Sequence, residues 1–146
     1  MNSLKRILLA EDNIRDIELT IAAFEENHLA NEVVVVRDGA EALDYLKRQG
    51  KYSERTEGFP AVVFLDLKMP KVDGLEVLRA MKNDPSFKSI PVVMLTSSRE
   101  ERDLVRSYEL GVNAYVVKPV DFEQFALAIK QLGFFWAVLN ELPPRH

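Results

Sequence analysis

Ala61-Val62-Val63-Phe64-Leu65-Asp66-Leu67-Lys68-Met69-Pro70 is an apolar run that stops at a single carboxylate, Asp66, and then enters a proline-shaped turn. The same pattern recurs along the chain. Arg6–Ala10 leads into Glu11-Asp12, Pro91–Leu95 into Thr96, and Ala114–Val117 into Lys118-Pro119. A fifth run, Glu32–Val36, lies between the first two. The first, third and fourth runs are nearly continuous in apolar residues, as expected of parallel strands covered on both faces. If the runs are neighbouring parallel strands, Glu11, Asp12, Asp66, Thr96 and Lys118 lie along one edge of a sheet. Carboxylates, a hydroxyl and an ammonium then converge where a divalent cation could be held and a phosphoryl group moved.

Helical patterns separate the runs. Ile14, Ile17, Ile21 and Phe24 fall on one stripe, as do Leu75, Leu78 and Met81. Asp38 with Glu41, Asp73 with Glu76, Ser98 with Glu101 and Asp121 with Gln124 have the N-cap to N3 spacing of a capping box. The alternation predicts an α/β fold of five β-α units, a three-layer sandwich with right-handed crossovers. Residues 50–60 read as a surface loop before the third strand.

At 146 residues and 47% hydrophobic, the chain can bury one sizeable core, and the expectation is a single domain over 1–146 with no output domain. A net charge of -4 argues against direct contact with nucleic acid, which demands a basic face. With no cysteine, a disulfide, a thiolate metal site and a Cys nucleophile are excluded. The opening residues read as neither a signal peptide nor a membrane span, so a cytoplasmic location away from membranes is expected.

The strand-end groups suit phosphoryl chemistry. Glu11, Asp12 and Asp66 offer the hard oxygens that Mg²⁺ takes, with waters completing an octahedron. Asp66, flanked by Leu65 and Leu67, is the best nucleophile, because a carboxylate can form an acyl phosphate. Lys118 can pair with one phosphoryl oxygen, and Thr96 can donate a hydrogen bond to another. Taken singly, each residue has a plainer reading. An acid at a strand end more often caps a helix, Thr is common at strand ends, and Lys118-Pro119 suggests a turn, with a cis bond as one option. Complementary chemistry at four strand ends favours the site. His28 and His146, the only histidines, are poor candidates to carry phosphate. Lys47-Arg48 and the basic residues of 99–106 read as solvated helix faces, and Trp136 as packing.

The motifs Leu9-Ala10-Glu11-Asp12-Asn13, Leu65-Asp66-Leu67-Lys68-Met69-Pro70 with Asp73-Gly74, Leu95-Thr96-Ser97, and Gly111 to Pro119 closely resemble those of receiver domains of bacterial two-component response regulators. The resemblance covers essentially the whole chain. It implies a flavodoxin-like fold with five helices and a parallel sheet of strand order 2-1-3-4-5, an arrangement for which a chemotaxis receiver is a known example. It also implies Asp66 as phosphoacceptor, Mg²⁺ on Asp12, Asp66 and the backbone carbonyl of Lys68 with Glu11 in the same acidic pocket, a Thr96–Tyr115 switch pair, and Lys118 as phosphate partner. Glu11 departs from the Asp more frequent at that position, yet still supplies a carboxylate. Asp16, Ser107 to Gly111 and Val120 to Phe125 narrow the likeness to small regulators associated with phytochrome-type kinases.

The function expected is a phosphorylation switch. It would be loaded by a sensor histidine kinase and would signal through the face formed by the fourth helix, fifth strand and fifth helix. A phosphohydrolase of the haloacid dehalogenase type uses similar groups, but its nucleophile belongs to an Asp-x-Asp motif after the first strand; here Leu67-Lys68 follow Asp66. A receiver scaffold without phosphorylation is the other alternative. A nucleotide or flavin module is weaker, because no Gly-rich loop follows the first strand. In the last helix, Phe122, Phe125, Ile129, Leu132, Trp136 and Leu139 mark a core stripe, whereas Leu127, Phe134 and Val138 lie about half a turn away. That second stripe predicts a homodimer interface.

Overall fold

The computed structural model describes residues 6–29, 31–56, 58–97 and 110–132. Five parallel strands form one sheet in the order β2-β1-β3-β4-β5. They are β1 (Ile7–Ala10), β2 (Val33–Val36), β3 (Val62–Asp66), β4 (Val92–Thr96) and β5 (Ala114–Val117). The four α-helices among the described residues are α1 (Ile14–Glu26), α2 (Gly39–Lys47), α3 (Gly74–Lys82) and α4 (Phe122–Leu132). The helix expected from Ser98 lies outside the described residues. α4 is therefore the helix that the sequence numbers fifth.

The strands are as apolar as the sequence requires. Every residue of β1, β3 and β4 is buried, because helices cover both faces of the sheet. On one face Ile7, Leu9, Phe64, Val93 and Val116 pack with Ala23 and Phe24 of α1 and with Phe125, Ala128 and Ile129 of α4. On the other, Leu8, Val63, Leu65 and Met94 pack with Leu46 of α2 and Leu75, Leu78 and Met81 of α3. Phe24, Phe64 and Phe125 form the tightest joint, with ring centroids 5.0 to 5.5 Å apart. Burying each ring contributes about 1.5–3 kcal/mol.

The structure corrects the sequence reading in four places. Ile14 and Phe122, assigned to core stripes, are 59% and 49% exposed. Each is the first residue of its helix and lies at the margin of the stripe that is in fact buried, centred on Thr20, Ala23 and Phe24 in α1 and on Phe125, Ala128 and Ile129 in α4. Of the three capping pairs among the described residues, only Asp73–Glu76 closes a reciprocal box; Ser98 and Glu101 lie outside them. Glu41 instead accepts from the Arg37 N–H, and Gln124 donates to the Pro119 carbonyl while accepting from the Val117 N–H. The segment 50–60 is not wholly irregular. It contains a 3₁₀ turn, Gly50–Tyr52, and Arg55 stacks 4.1 Å from the Tyr45 ring centre.

Candidate functional site

Parallel pairing brings the strand ends together. Ala10 pairs with Leu65, Asp66 with Leu95, and Thr96 with Val117. Asp66 and Thr96 are the last residues of their strands rather than the first beyond them, so the ladder itself fixes their backbones. The Leu67 N–H donates to the Leu95 carbonyl at 2.9 Å and the Lys118 N–H to the Thr96 carbonyl at 2.8 Å. After β5 the Lys118–Pro119 bond is cis. This is the carboxyl edge of an open α/β sheet, where such folds place their functional crevice.

Carboxylate oxygens of Glu11, Asp12 and Asp66 lie within 4.8 Å of one another. Glu11 is fully buried and Asp66 is 5% exposed, with Asp12 the most accessible of the three. The Lys118 ammonium reaches into this cluster, 2.7 Å from Glu11 Oε1 and 3.1 Å from Asp66 Oδ1. The Asn13 N–H donates to Glu11 Oε2 at 3.2 Å, and Arg37 Nη2 donates to the Asp12 carbonyl oxygen at 2.7 Å. Three hard oxygen donors around one gap, open on the Asp12 side, fit Mg²⁺ with some of its waters retained.

Electrostatics mark the same spot. Burial raises the Glu11 carboxyl to about 7, reinforced by the Asp66 charge and opposed by the Lys118 hydrogen bond. Burial also raises Asp66, against the pull of Lys118, the Glu11 hydrogen bond and the Lys68 N–H. Burial alone would lower Lys118; the hydrogen bond to Glu11 and the Asp66 charge outweigh it and hold the ammonium charged well above its ordinary range. Perturbed carboxylates paired with a lysine at a sheet edge are typical of functional clefts. A cation suits this excess of negative charge.

Thr96 is 1% exposed at the end of β4. Residues two apart on a strand share a face. Thr96 therefore shares a face with Met94, which pairs with Tyr115 of β5, so Thr96 and Tyr115 stand diagonally on one side of the sheet. Leu127 is 61% exposed, whereas Phe134 and Val138 lie outside the described residues, as does Trp136.

Two contacts were missed as parts of the site. Asp16 Oδ2 lies 3.2 Å from the Lys118 ammonium, although the two residues are 102 positions apart. The Asp-to-Lys relation has no local sequence signal; only the phase of α1, set by its Asn13 cap, turns Asp16 toward the crevice. Arg37, the clamp on the Asp12 backbone, follows β2 and carries no motif of its own.

The comparisons agree with this geometry. The family model described as "Response regulator receiver domain" matches residues 7–130. The response regulator Rcp1 of Synechocystis is 37% identical over 142 residues, covering 97% of this chain and 95% of that protein. A solved structure of Rcp1 in a Mn²⁺-bound form aligns with a TM-score of 0.75 at 36% identity, covering 97% of this chain and 99% of that one. The bacteriophytochrome response regulator RtBRR is 65% identical with a TM-score of 0.86, over 97% of this chain and 86% of that one. The phosphorylated cyanobacterial phytochrome response regulator RcpA is 40% identical with a TM-score of 0.76, over 97% and 98%. With receiver motifs at four strand ends, a matching family model and phytochrome-associated homologues over nearly its full length, the chain belongs to the receiver-domain family of two-component response regulators.

Proposed function

We propose that this receiver domain is a phosphorylation switch that accepts a phosphoryl group on Asp66 from a sensor histidine kinase of the phytochrome type. The observation that carries the proposal is the placement of Lys118 Nζ 3.1 Å from Asp66 Oδ1, beside the cluster of Glu11, Asp12 and Asp66. An Asp66 carboxylate oxygen attacks phosphorus in line, and the O–P bond forms as the P–N bond of the donor phosphohistidine breaks. Lys118 faces the transferred oxygens and offsets their charge. Asp12, Asp66 and the Lys68 carbonyl, with Glu11 alongside, would hold Mg²⁺, which would supply further charge neutralisation and alignment. The metal-bound form of Rcp1 and the phosphorylated state of RcpA support carrying both features to this chain.

Readout runs through Thr96. Its hydroxyl moves toward the new phosphoryl oxygens, Tyr115 repacks inward on the shared sheet face, and the surface beside β5 and α4 shifts between two packings. The protein acts as a signalling component, not as an enzyme with turnover of its own. It works in the cytoplasm beside its kinase, without nucleic acid or membrane as a direct partner, and as a homodimer.

Incubation with acetyl phosphate and Mg²⁺, followed by intact-mass measurement, tests this reading. One acid-labile phosphoryl group per chain is expected, absent without Mg²⁺ and absent in Asp66→Asn. Labelling of Asp66→Asn to the wild-type level would sink it.

A further inference from the structure

We propose that Asp16 is a positioning residue that fixes the Lys118 ammonium for phosphoryl transfer to Asp66. The proposal rests on the reading of Asp66 as phosphoacceptor. A lysine ammonium is a donor with no acceptor capacity, and three carboxylates surround this one. Glu11 Oε1 stands at 2.7 Å, Asp66 Oδ1 at 3.1 Å and Asp16 Oδ2 at 3.2 Å. Only Asp66 changes chemically during the reaction. Glu11 and Asp16 are the two unreactive anchors: Glu11 pairs with the ammonium by charge, Asp16 accepts a hydrogen bond from it, and together they hold it beside the reacting carboxylate.

An anchor is useful only if it is itself rigid. Asp16 is held on both sides of its backbone: its N–H donates to Asn13 Oδ1 at 3.0 Å, and its carbonyl accepts from the Thr20 hydroxyl at 2.7 Å. Thr20 is fully buried, and α1 is tied to the sheet through Phe24. Asp16 also lies in the first turn of α1, where the helix dipole favours a negative charge. Lysine, by contrast, is a point charge on a flexible stem. Without Asp16, Glu11 would be the one unreactive carboxylate on the Lys118 head, which could then pivot about it. The Asp16 carboxylate, on an element from the opposite end of the chain, removes that freedom before the phosphodonor arrives.

Asp16→Ala, Asp16→Asn and wild type are to be compared in initial phosphorylation by acetyl phosphate at saturating Mg²⁺. In that reaction the donor P–O bond breaks to release acetate as the Asp66 O–P bond forms. Both bonds that set the start of α1 use the Asp16 backbone, so the substitutions leave them in place. Asp16→Ala is expected to lose about five- to ten-fold in saturated rate, while Asp16→Asn, whose amide oxygen still accepts from the ammonium, stays within about two-fold of wild type. In parallel, ¹⁵N-lysine spectra should show slowly exchanging Lys118 amine protons in wild type and Asp16→Asn, and their loss in Asp16→Ala. A wild-type rate in Asp16→Ala, or an Asn variant as slow as the Ala variant, overturns the proposal. So does equal amine exchange in wild type and Asp16→Ala, a readout that needs no phosphorylation. Failure of wild type to take phosphate at all would instead strike the assignment of Asp66.

Discussion

A Cβ at Gly74 would stand 2.2 Å from the carbonyl oxygen of Asp66, so the start of α3 rests directly on the residue proposed to take the phosphate. The contact is closed by the Gly74 N–H, which donates to the Leu67 carbonyl at 2.9 Å. Gly74→Ala must therefore push α3 away from β3 or displace Asp66. Overpacking of this kind costs about 1–3 kcal/mol. For a domain of this size that lowers Tm by roughly 2–4 °C per kcal/mol. Phosphorylation at Asp66 should slow as well. Gly58→Ala serves as the control, since nothing lies within 4 Å of a Cβ there. Equal melting temperatures for the two variants would contradict the close contact.

Much of this was legible in the sequence, for a physical reason. Strands buried on both faces cannot alternate, so β3 and β4 stand out as unbroken apolar runs, and any polar residue that ends one is conspicuous. Asp16 had no such contrast. It sits among charged neighbours in a helical first turn, and its meaning depends on Lys118 arriving from the far end of the chain. Ile14 and Phe122 show the limit of periodicity: a stripe gives the direction of the core but not how far the core extends past the end of a helix. The capping pairs show another. Asp38 and Glu41 have the right spacing, but Glu41 accepts from the Arg37 N–H and is recruited by Lys51 and Tyr52, partners that only the folded loop supplies.

Mg²⁺ should raise thermal stability by mass action, by roughly 1–3 kcal/mol at saturating concentration. The gain should vanish in Asp12→Ala, which removes the most accessible donor of the cluster. Melting curves with and without Mg²⁺ decide the matter. The same gain in both proteins would remove Asp12 from the metal site.

Stability without metal should depend on pH in a direction set by burial. Glu11 has a folded pKa of about 7 against an ordinary value of 4.5, so the folded state binds the extra proton between those values. Stability from this group is fully present below 4.5 and is lost as pH rises through about 7. Asp66, also raised, contributes in the same direction. Urea denaturation of wild type and Glu11→Gln between pH 5 and 8 isolates the effect: wild type should lose stability relative to the variant as pH rises. Mg²⁺ competes with the proton, so its affinity should increase over the same interval. A difference between the two proteins that is flat with pH would contradict the assignment.

Thr96→Ala should still take phosphate on Asp66 but fail to report it. In the proposed switch the hydroxyl only reads the phosphoryl group, while the attacking group and the balancing cation both remain. ¹H–¹⁵N spectra should show phosphate-dependent shifts around Tyr115 in wild type and little change in the variant. Lys118→Ala should fail earlier, at incorporation itself, because it removes the ammonium facing Asp66. Full loss of incorporation in a folded Thr96→Ala protein would contradict a role in readout alone.

The last prediction concerns assembly. α4 buries Phe125, Ala128 and Ile129 against the sheet, yet Leu127 is 61% and Phe122 49% exposed on its outer side. Phe122, Ala126 and Leu127, with Glu123 and Lys130, line one shallow groove along that side. A helix that needed only one partner would carry one apolar stripe. Continuation of this second stripe into Phe134 and Val138, beyond the described residues, is what the sequence adds. A symmetric homodimer on this face would place the partner on the helix that packs against β5, the edge strand that carries Tyr115 on its other face, and so couple assembly to the switch through β5. Light scattering at micromolar concentration should give a dimer, and Leu127→Glu or Phe134→Glu should shift it toward monomer by placing a charge in the contact. Leu127 is not among the acidic-cluster residues, so acetyl phosphate should still label Asp66 in Leu127→Glu. A wild-type monomer with and without phosphodonor would refute the dimer, and an undisturbed dimer in both variants would refute this face.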